Sequence, residues 1–236
     1  TKQRERARAE RLAKDISGWS ADLFGELTAD ATQFDGYDTL SEKAKVLALS
    51  DGEELVDAIA TDEAGEAKDG VLVVLDRTPF YAEMGGQVAD HGYLVSGDAK
   101  LKVTQVKKTP KGYFVHTSEL LDGTIHGGDE VTASVDEKCR AAICRNHTAT
   151  HLLQKALREV LGEHVHQAGS YQDDRITHFD FTHFSAVSPA ELAEVERRVN
   201  EKIYEALPVT VKNLPIEEAK KMGAMALFGE KYGSVV

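Results

Sequence analysis

Near Asp136 the hydrophobic pattern of the chain changes period. Val131, Ala133 and Val135 alternate with Thr132 and Ser134, as a half-buried strand requires. From Asp136 to Gly162 the small and apolar residues return instead at helical spacing: Ala141, Cys144, Thr148, His151, Leu152, Ala156 and the Leu157, Val160, Leu161 group. Asp136 is placed to cap that helix, and Gly162 to end it as a left-handed C′ residue. A chain with this break must build β-structure before it and helical structure after it.

Upstream, from about Thr32 to Val135, short β-type runs are separated by Gly and Asp turns. Val71-Leu72-Val73-Val74-Leu75 is unbroken and apolar, the mark of a strand buried on both faces. Asp51-Gly52, Gly97-Asp98 and Lys111-Gly112 read as turns, the last two between strand-like runs. Several short strands within about 100 residues predict a small closed or nearly closed barrel.

Downstream, Phe179-Asp180-Phe181-Thr182-His183 alternates as a strand. Ser188-Pro189-Ala190-Glu191 is a capping box with proline at the first helical position. Leu192, Val195, Val199 and Ile203 give the helix one apolar stripe before Pro208. Val209 and Val211 suggest another strand, and Glu217 to Met222 a short helix stopped by Gly223. Strand and helix alternating behind a long helix predict a two-layer α/β sandwich.

Composition narrows the class. At 236 residues, 42% hydrophobic and 29% charged, this is ordinary globular material long enough for more than one domain. No apolar run is long enough to cross a bilayer, and no signal-peptide pattern opens the chain. Cys139 and Cys144, five apart on a helix, project to different sides and make no disulfide framework, so a reducing cytoplasm is expected. A net charge of −12 argues against broad binding to nucleic acid. Locally, Lys2, Arg4, Arg6, Arg8, Arg11 and Lys14 crowd the first residues, either as a solvated helix face or as a surface that meets phosphates. The opening at Thr1 with a helix already under way reads as a piece of something longer.

Two histidines carry the chemistry. His147 and His151 are four apart, so on a helix both imidazoles lie on one face about a turn from each other, a spacing that can chelate one divalent metal, commonly zinc. In a chain with nine histidines the same spacing also arises without any metal. Thr148 follows the first histidine where a zinc protease has glutamate, which removes that enzyme's general base. Cys144 is a poor third ligand, because it lies about 10 Å along the helix axis from His151; it reads as a small buried hydrophobe. In the segment from Phe80 to Gly92, Gly85-Gly86 beside Gln87 makes either a close backbone approach to a ligand or a bulge at a barrel corner, and the bulge is the simpler reading.

Together, His147-Thr148-Ala149-Thr150-His151-Leu152-Leu153, Gly162, Gln167-Ala168-Gly169-Ser170, Phe179-Asp180-Phe181, Ala226-Leu227-Phe228-Gly229-Glu230-Lys231-Tyr232-Gly233 and the Phe80 to Gly92 segment resemble the bacterial alanyl-tRNA synthetases over nearly the whole chain. The resemblance implies an α+β architecture: a helical lead-in over 1–31 at the tail of the tRNA-recognition region, a β-barrel over 32–135, and the front of a two-layer α/β editing domain over 136–236. It implies a ligase that charges tRNA with alanine using ATP and that proofreads by cutting the ester of seryl- or glycyl-tRNA(Ala). It implies zinc held by His147 and His151 together with a Cys-x-x-x-His pair, and a role in substrate handling for Thr150 and Gln167. Its implied partners are tRNA(Ala) and the rest of the synthetase chain. No cysteine follows Cys144, so the second half of that zinc site is not in this sequence. His178 stands where the family usually has arginine. The competing readings are a nonenzymatic tRNA-docking module and a stand-alone trans-editing deacylase.

Overall fold

The computed structural model describes residues 23–61 and 66–223. The basic residues 2–14, Trp19, the expected N-terminal helix and the Ala226–Gly233 stretch lie outside the described residues. No helix among the described residues is long and apolar enough to cross a membrane. Two compact units are present: residues 1–144 with Gln172–Ile176, and Arg145–Tyr171 with Thr177 onward.

The first unit is built on six longer strands: β2 (Ser41–Ser50), β5 (Lys68–Leu75), β7 (Gly92–Ser96), β8 (Ala99–Lys108), β9 (Phe114–Asp122) and β11 (Glu130–Val135). They are hydrogen-bonded in the order β11-β7-β8-β9-β5-β2, every pair antiparallel, and β2 pairs back onto β11, which closes the barrel. Short pieces trim its ends. β1 (Gln33–Phe34) runs parallel to β6 (Arg77–Thr78), β3 (Leu55–Val56) folds back antiparallel on the end of β2, and β4 (Ala58–Ala60) pairs with β10 (Thr124–His126).

Strand β5 shows why its sequence is apolar without interruption. Val71, Val73 and Leu75 enter the barrel core with Val46, Leu94, Leu101, Leu120 and Val131. Leu72 and Val74 belong to a second cluster with Phe24, Tyr113 and Val115. Both faces are therefore out of water, and each buried aliphatic side chain contributes about 1.5–3 kcal/mol. The outer cluster is pinned by Tyr113, whose hydroxyl donates to the Ala29 carbonyl at 2.6 Å, and by Lys111 on the Gly25 carbonyl.

The helix expected from Asp136 is α1 (Glu137–Leu161), with the Asp136 carboxylate accepting the Cys139 N–H at 3.0 Å. It ends at Gly162, whose φ of +117° is open to glycine. In the second unit α1 is followed by the two-stranded sheet of β12 (Gln167–Gln172) and β13 (Thr177–Phe181), then by α2 (Pro189–Tyr204) and α3 (Ile216–Lys221). The capping box of α2 forms in full: Glu191 N–H donates to Ser188 Oγ, and Ser188 N–H to the Glu191 carboxylate. Ala156, Leu157, Val165 and Val195 form this unit's core, with Phe179, Phe181 and Val199 packed against it.

Three expectations need correction. Val209 and Val211 do not form a strand; both are more than 80% exposed, and no described strand lies beside them to take their hydrogen bonds. The apolar stripe of α2 is buried only in part, for Val195 is covered while Leu192 and Ile203 stay half exposed. The buried face of α1 agrees with the expected one only toward its C-terminal end: Ala156 and Leu157 are buried as expected, but so are Arg140, Ile143, Thr150 and Gln154, whereas Ala141, Cys144, Thr148 and His151 face water. Three of the six buried residues are polar, so a search for apolar positions misses them.

Candidate functional site

His147 and His151 are brought together as their spacing requires. Their rings lie 5.3 Å apart, centre to centre, and within 13° of parallel. His147 is half buried, and burial first, then the neighbouring His151, holds its imidazole below the usual pKa. That lowering favours the neutral imidazole, the form a metal binds. The pair fits two positions of a tetrahedral metal site. Among the described residues no group of three His, Cys, Asp or Glu side chains is arranged to hold an ion, so no closed site forms from them. Cys144 does not supply a third ligand, and it is exposed, not the buried hydrophobe expected.

Thr150 is 5% exposed. Its hydroxyl donates to the Asn146 carbonyl one turn earlier, at 2.9 Å, and lies 3.5 Å from Thr177 Oγ. Thr177 donates to the same carbonyl at 3.2 Å. The Thr150 hydrogen is thus committed within the protein, and what remains for a ligand is acceptor capacity. Gln167 opens β12, and its amide nitrogen donates one hydrogen to Ser170 Oγ at 3.0 Å, which leaves the amide oxygen and the second N–H uncommitted among the described residues. Neither side chain is bonded to a histidine. His178 bonds Asp180 at 3.0 Å on the exposed face of β13.

Gln154 went unnoticed in the sequence. It lies three residues after His151 and four after Thr150, is 4% exposed, and finds no partner for either its amide nitrogen or its oxygen. The only available signal was its place on the face shared by His147, Thr150 and His151. A second histidine pair was also hidden. His164 Nε2 and His183 Nδ1 are hydrogen-bonded at 2.9 Å, nineteen residues apart, with Phe184 stacked on His164 at 4.4 Å.

In the barrel unit, Gly85 and Gly86 make a tight turn and not the expected bulge. Met84 and Gln87 exchange two backbone hydrogen bonds across them, and both glycines have positive φ, as a type I′ turn demands. Gln87 and Val88 then pair with Gln172. The segment is held at its other end by Asp90, which takes the Arg140 guanidinium on both carboxylate oxygens and the Tyr81 N–H at 2.7 Å.

Comparison with known proteins adds ancestry to this geometry. The family described as tRNA synthetases class II (A) matches residues 1–139. The alanine–tRNA ligase of Acetivibrio thermocellus is 49% identical over 231 residues, which cover 98% of this chain and 26% of that protein. The alanine–tRNA ligase of Bacillus cereus is 46% identical over 235 residues, and that of Thermoanaerobacter pseudethanolicus 48% over 235, each with 100% of this chain and 26% of the relative covered. The chain therefore spans about a quarter of the length of these relatives. The family match stops before His147, but the match to the relatives runs on through both histidines.

Proposed function

The chain belongs to the class II (A) tRNA synthetase family, with alanine–tRNA ligases as its relatives, and on that footing we propose that residues 136–236 serve proofreading of tRNA(Ala) in a synthetase that charges tRNA with alanine. The reaction is hydrolysis of the ester in seryl- or glycyl-tRNA(Ala). Water adds to the acyl carbon, the bond from that carbon to the terminal ribose oxygen breaks, and the ribose oxygen takes the proton. Free amino acid and uncharged tRNA result. The observation that carries this reading is the stacked pair His147 and His151 on α1, with Thr150 between them in sequence.

His147 and His151 would hold zinc through one nitrogen each, and bound zinc supplies Lewis acidity toward a carbonyl or a water. The remaining ligands have to come from outside the described residues. Thr150 and Gln167 act on the amino acid. With its hydrogen given to Asn146, Thr150 presents lone pairs and accepts from a serine hydroxyl, while the free N–H of Gln167 donates to that hydroxyl's oxygen. An alanyl ester has no hydroxyl to give, so it leaves those acceptors unpaired. A polar site of this kind discriminates more strongly than shape alone.

Two measurements test the reading. After dialysis the 236-residue chain should keep well under one zinc per molecule and deacylate seryl-tRNA(Ala) poorly. A longer chain that includes the Cys-x-x-x-His pair should deacylate it readily. A tightly held equivalent of zinc in the short chain would contradict the half-site, and a longer chain inert toward seryl-tRNA(Ala) would end the proofreading reading. The absence of a third ligand among the described residues favours one alternative, a nonenzymatic tRNA-docking module. Its signature is tRNA(Ala) binding that falls steeply with salt and is never accompanied by deacylation.

A further inference from the structure

We propose that Gln154 is a positioning residue for this site: its amide oxygen accepts the ring N–H of His151 and its amide nitrogen donates to the Thr150 hydroxyl. The inference rests on the deacylase reading for its purpose, but it stands on the helix for its geometry. Side chains on an α-helix lean toward the N-terminus, so a residue lies over those three and four positions earlier. For Gln154 these are His151 and Thr150.

The polar inventory of that turn is unbalanced as it stands. The Gln154 amide is buried with both ends unpaired, at a cost of about 1–3 kcal/mol for each unmet group. Among the described residues His151, exposed, meets the ring of His147. Thr150 has donated its hydrogen and keeps free lone pairs. One carbonyl oxygen, one imidazole N–H, one amide N–H and one hydroxyl oxygen complement each other in pairs.

The consequence is chemical. A neutral imidazole carries its proton on either nitrogen, and the group bonded to one nitrogen decides which lone pair faces the reacting atoms. With Gln154 accepting from one ring nitrogen, His151 is held in a single tautomer and its other nitrogen is presented as a base or ligand. The same amide fixes the Thr150 hydroxyl rotor, which keeps that oxygen an acceptor.

The test uses the metal-free 236-residue chain with 15N-labelled histidine, at about pH 8, where imidazoles are neutral. Long-range 1H–15N spectra report the tautomer of His151 directly. The wild type should hold one tautomer over the other by about ten to one or more. Gln154→Met, close in shape but without the amide, should bring the ratio toward one to one and lower the melting temperature. Gln154→Glu keeps an acceptor oxygen and should restore the single tautomer. The proposal is overturned by a His151 tautomer ratio that is the same in wild type and Gln154→Met. It is equally overturned by a rise in melting temperature, since replacing a truly unpaired amide by an apolar side chain stabilises a core. The spectra need no substrate, so failure here leaves the seryl-tRNA(Ala) experiments to judge the deacylase reading independently.

Discussion

Replacing Arg140 by methionine should loosen the whole barrel. The guanidinium is nine-tenths buried, and it donates to Asp90, to the Gly36 carbonyl at 2.7 Å and to the Pro79 carbonyl at 2.9 Å. Asp90 itself is 1% exposed. Arg140→Met strips that carboxylate of its counter-charge and leaves it the Tyr81 N–H alone, while two carbonyls lose their donor. Breaking a buried pair from one side costs about 3–5 kcal/mol, unlike an exposed pair worth about 0–1 kcal/mol. With two compact units in the chain, a single melting curve would mix their transitions, so the barrel needs its own reporter. The amides of Val73 and Val74 serve, since Val71 to Leu75 are buried and β5 is bonded on both edges. Their hydrogen-exchange protection should fall by about two to four decades, at one decade per about 1.4 kcal/mol. Adding Asp90→Leu to Arg140→Met removes the stranded charge and should recover at least about one decade. Protection unchanged within about threefold in Arg140→Met would refute the claim that this pair anchors the Phe80 to Gly92 segment.

Other perturbations have signs that follow from the same environments. Burial and the neighbouring Asp35 raise the Glu42 carboxyl from 4.5 to about 7, so the folded state holds that proton more tightly than the unfolded chain; stability should decline as pH rises from 4.5 to 7, and Glu42→Gln should remove that slope, about 1–2 kcal/mol by urea titration. His116 runs the other way. It is fully buried between Thr78 Oγ and the Val73 carbonyl, and desolvation lowers it from 6.5 to about 4, so up to about 3 kcal/mol is lost as pH falls through that window; His116→Gln should flatten the acid limb of the same titration. Ser188→Ala opens the capping box of α2 and should lower the melting temperature of the second unit by about 4–8 °C, read by circular dichroism at the helical band. Thr150→Val keeps the shape and removes the acceptor, so in a chain competent for deacylation it should cut the preference for seryl- over alanyl-tRNA(Ala) by about tenfold or more; an unchanged ratio would remove Thr150 from substrate handling.

The barrel was legible in the sequence because its signals are local. Alternation in β11, the apolar run of β5 and the glycine turns each mark one strand or one reversal, and pairing followed from them. What was not legible depends on neighbours far away in the chain. Val209 and Val211 have strand-forming side chains, but a strand exists only beside a partner. The same holds for His164 and His183, which become a pair only when the chain after α1 meets the end of β13. The site was legible as far as the i, i+4 spacing reaches: it places His147 against His151 and is silent on every other ligand.

The error on α1 points to where function is concentrated. Burial of Arg140, Thr150 and Gln154 on one face runs against the apolar pattern that ordinarily selects a helix's inner side. A helix that buries polar groups must find them partners. Arg140 has three and is an anchor; Thr150 shares the Asn146 carbonyl with Thr177 and ties α1 to β13; Gln154 has none. Satisfaction therefore falls along the face toward the turn that carries His151. Arg140 is satisfied by the fold as it stands, and under the proposal above Gln154 reaches satisfaction through His151 and Thr150. Under the proposed function a survey of substitutions along α1 should separate accordingly: loss of stability at Arg140, loss of selectivity at Thr150, and loss of histidine order at Gln154.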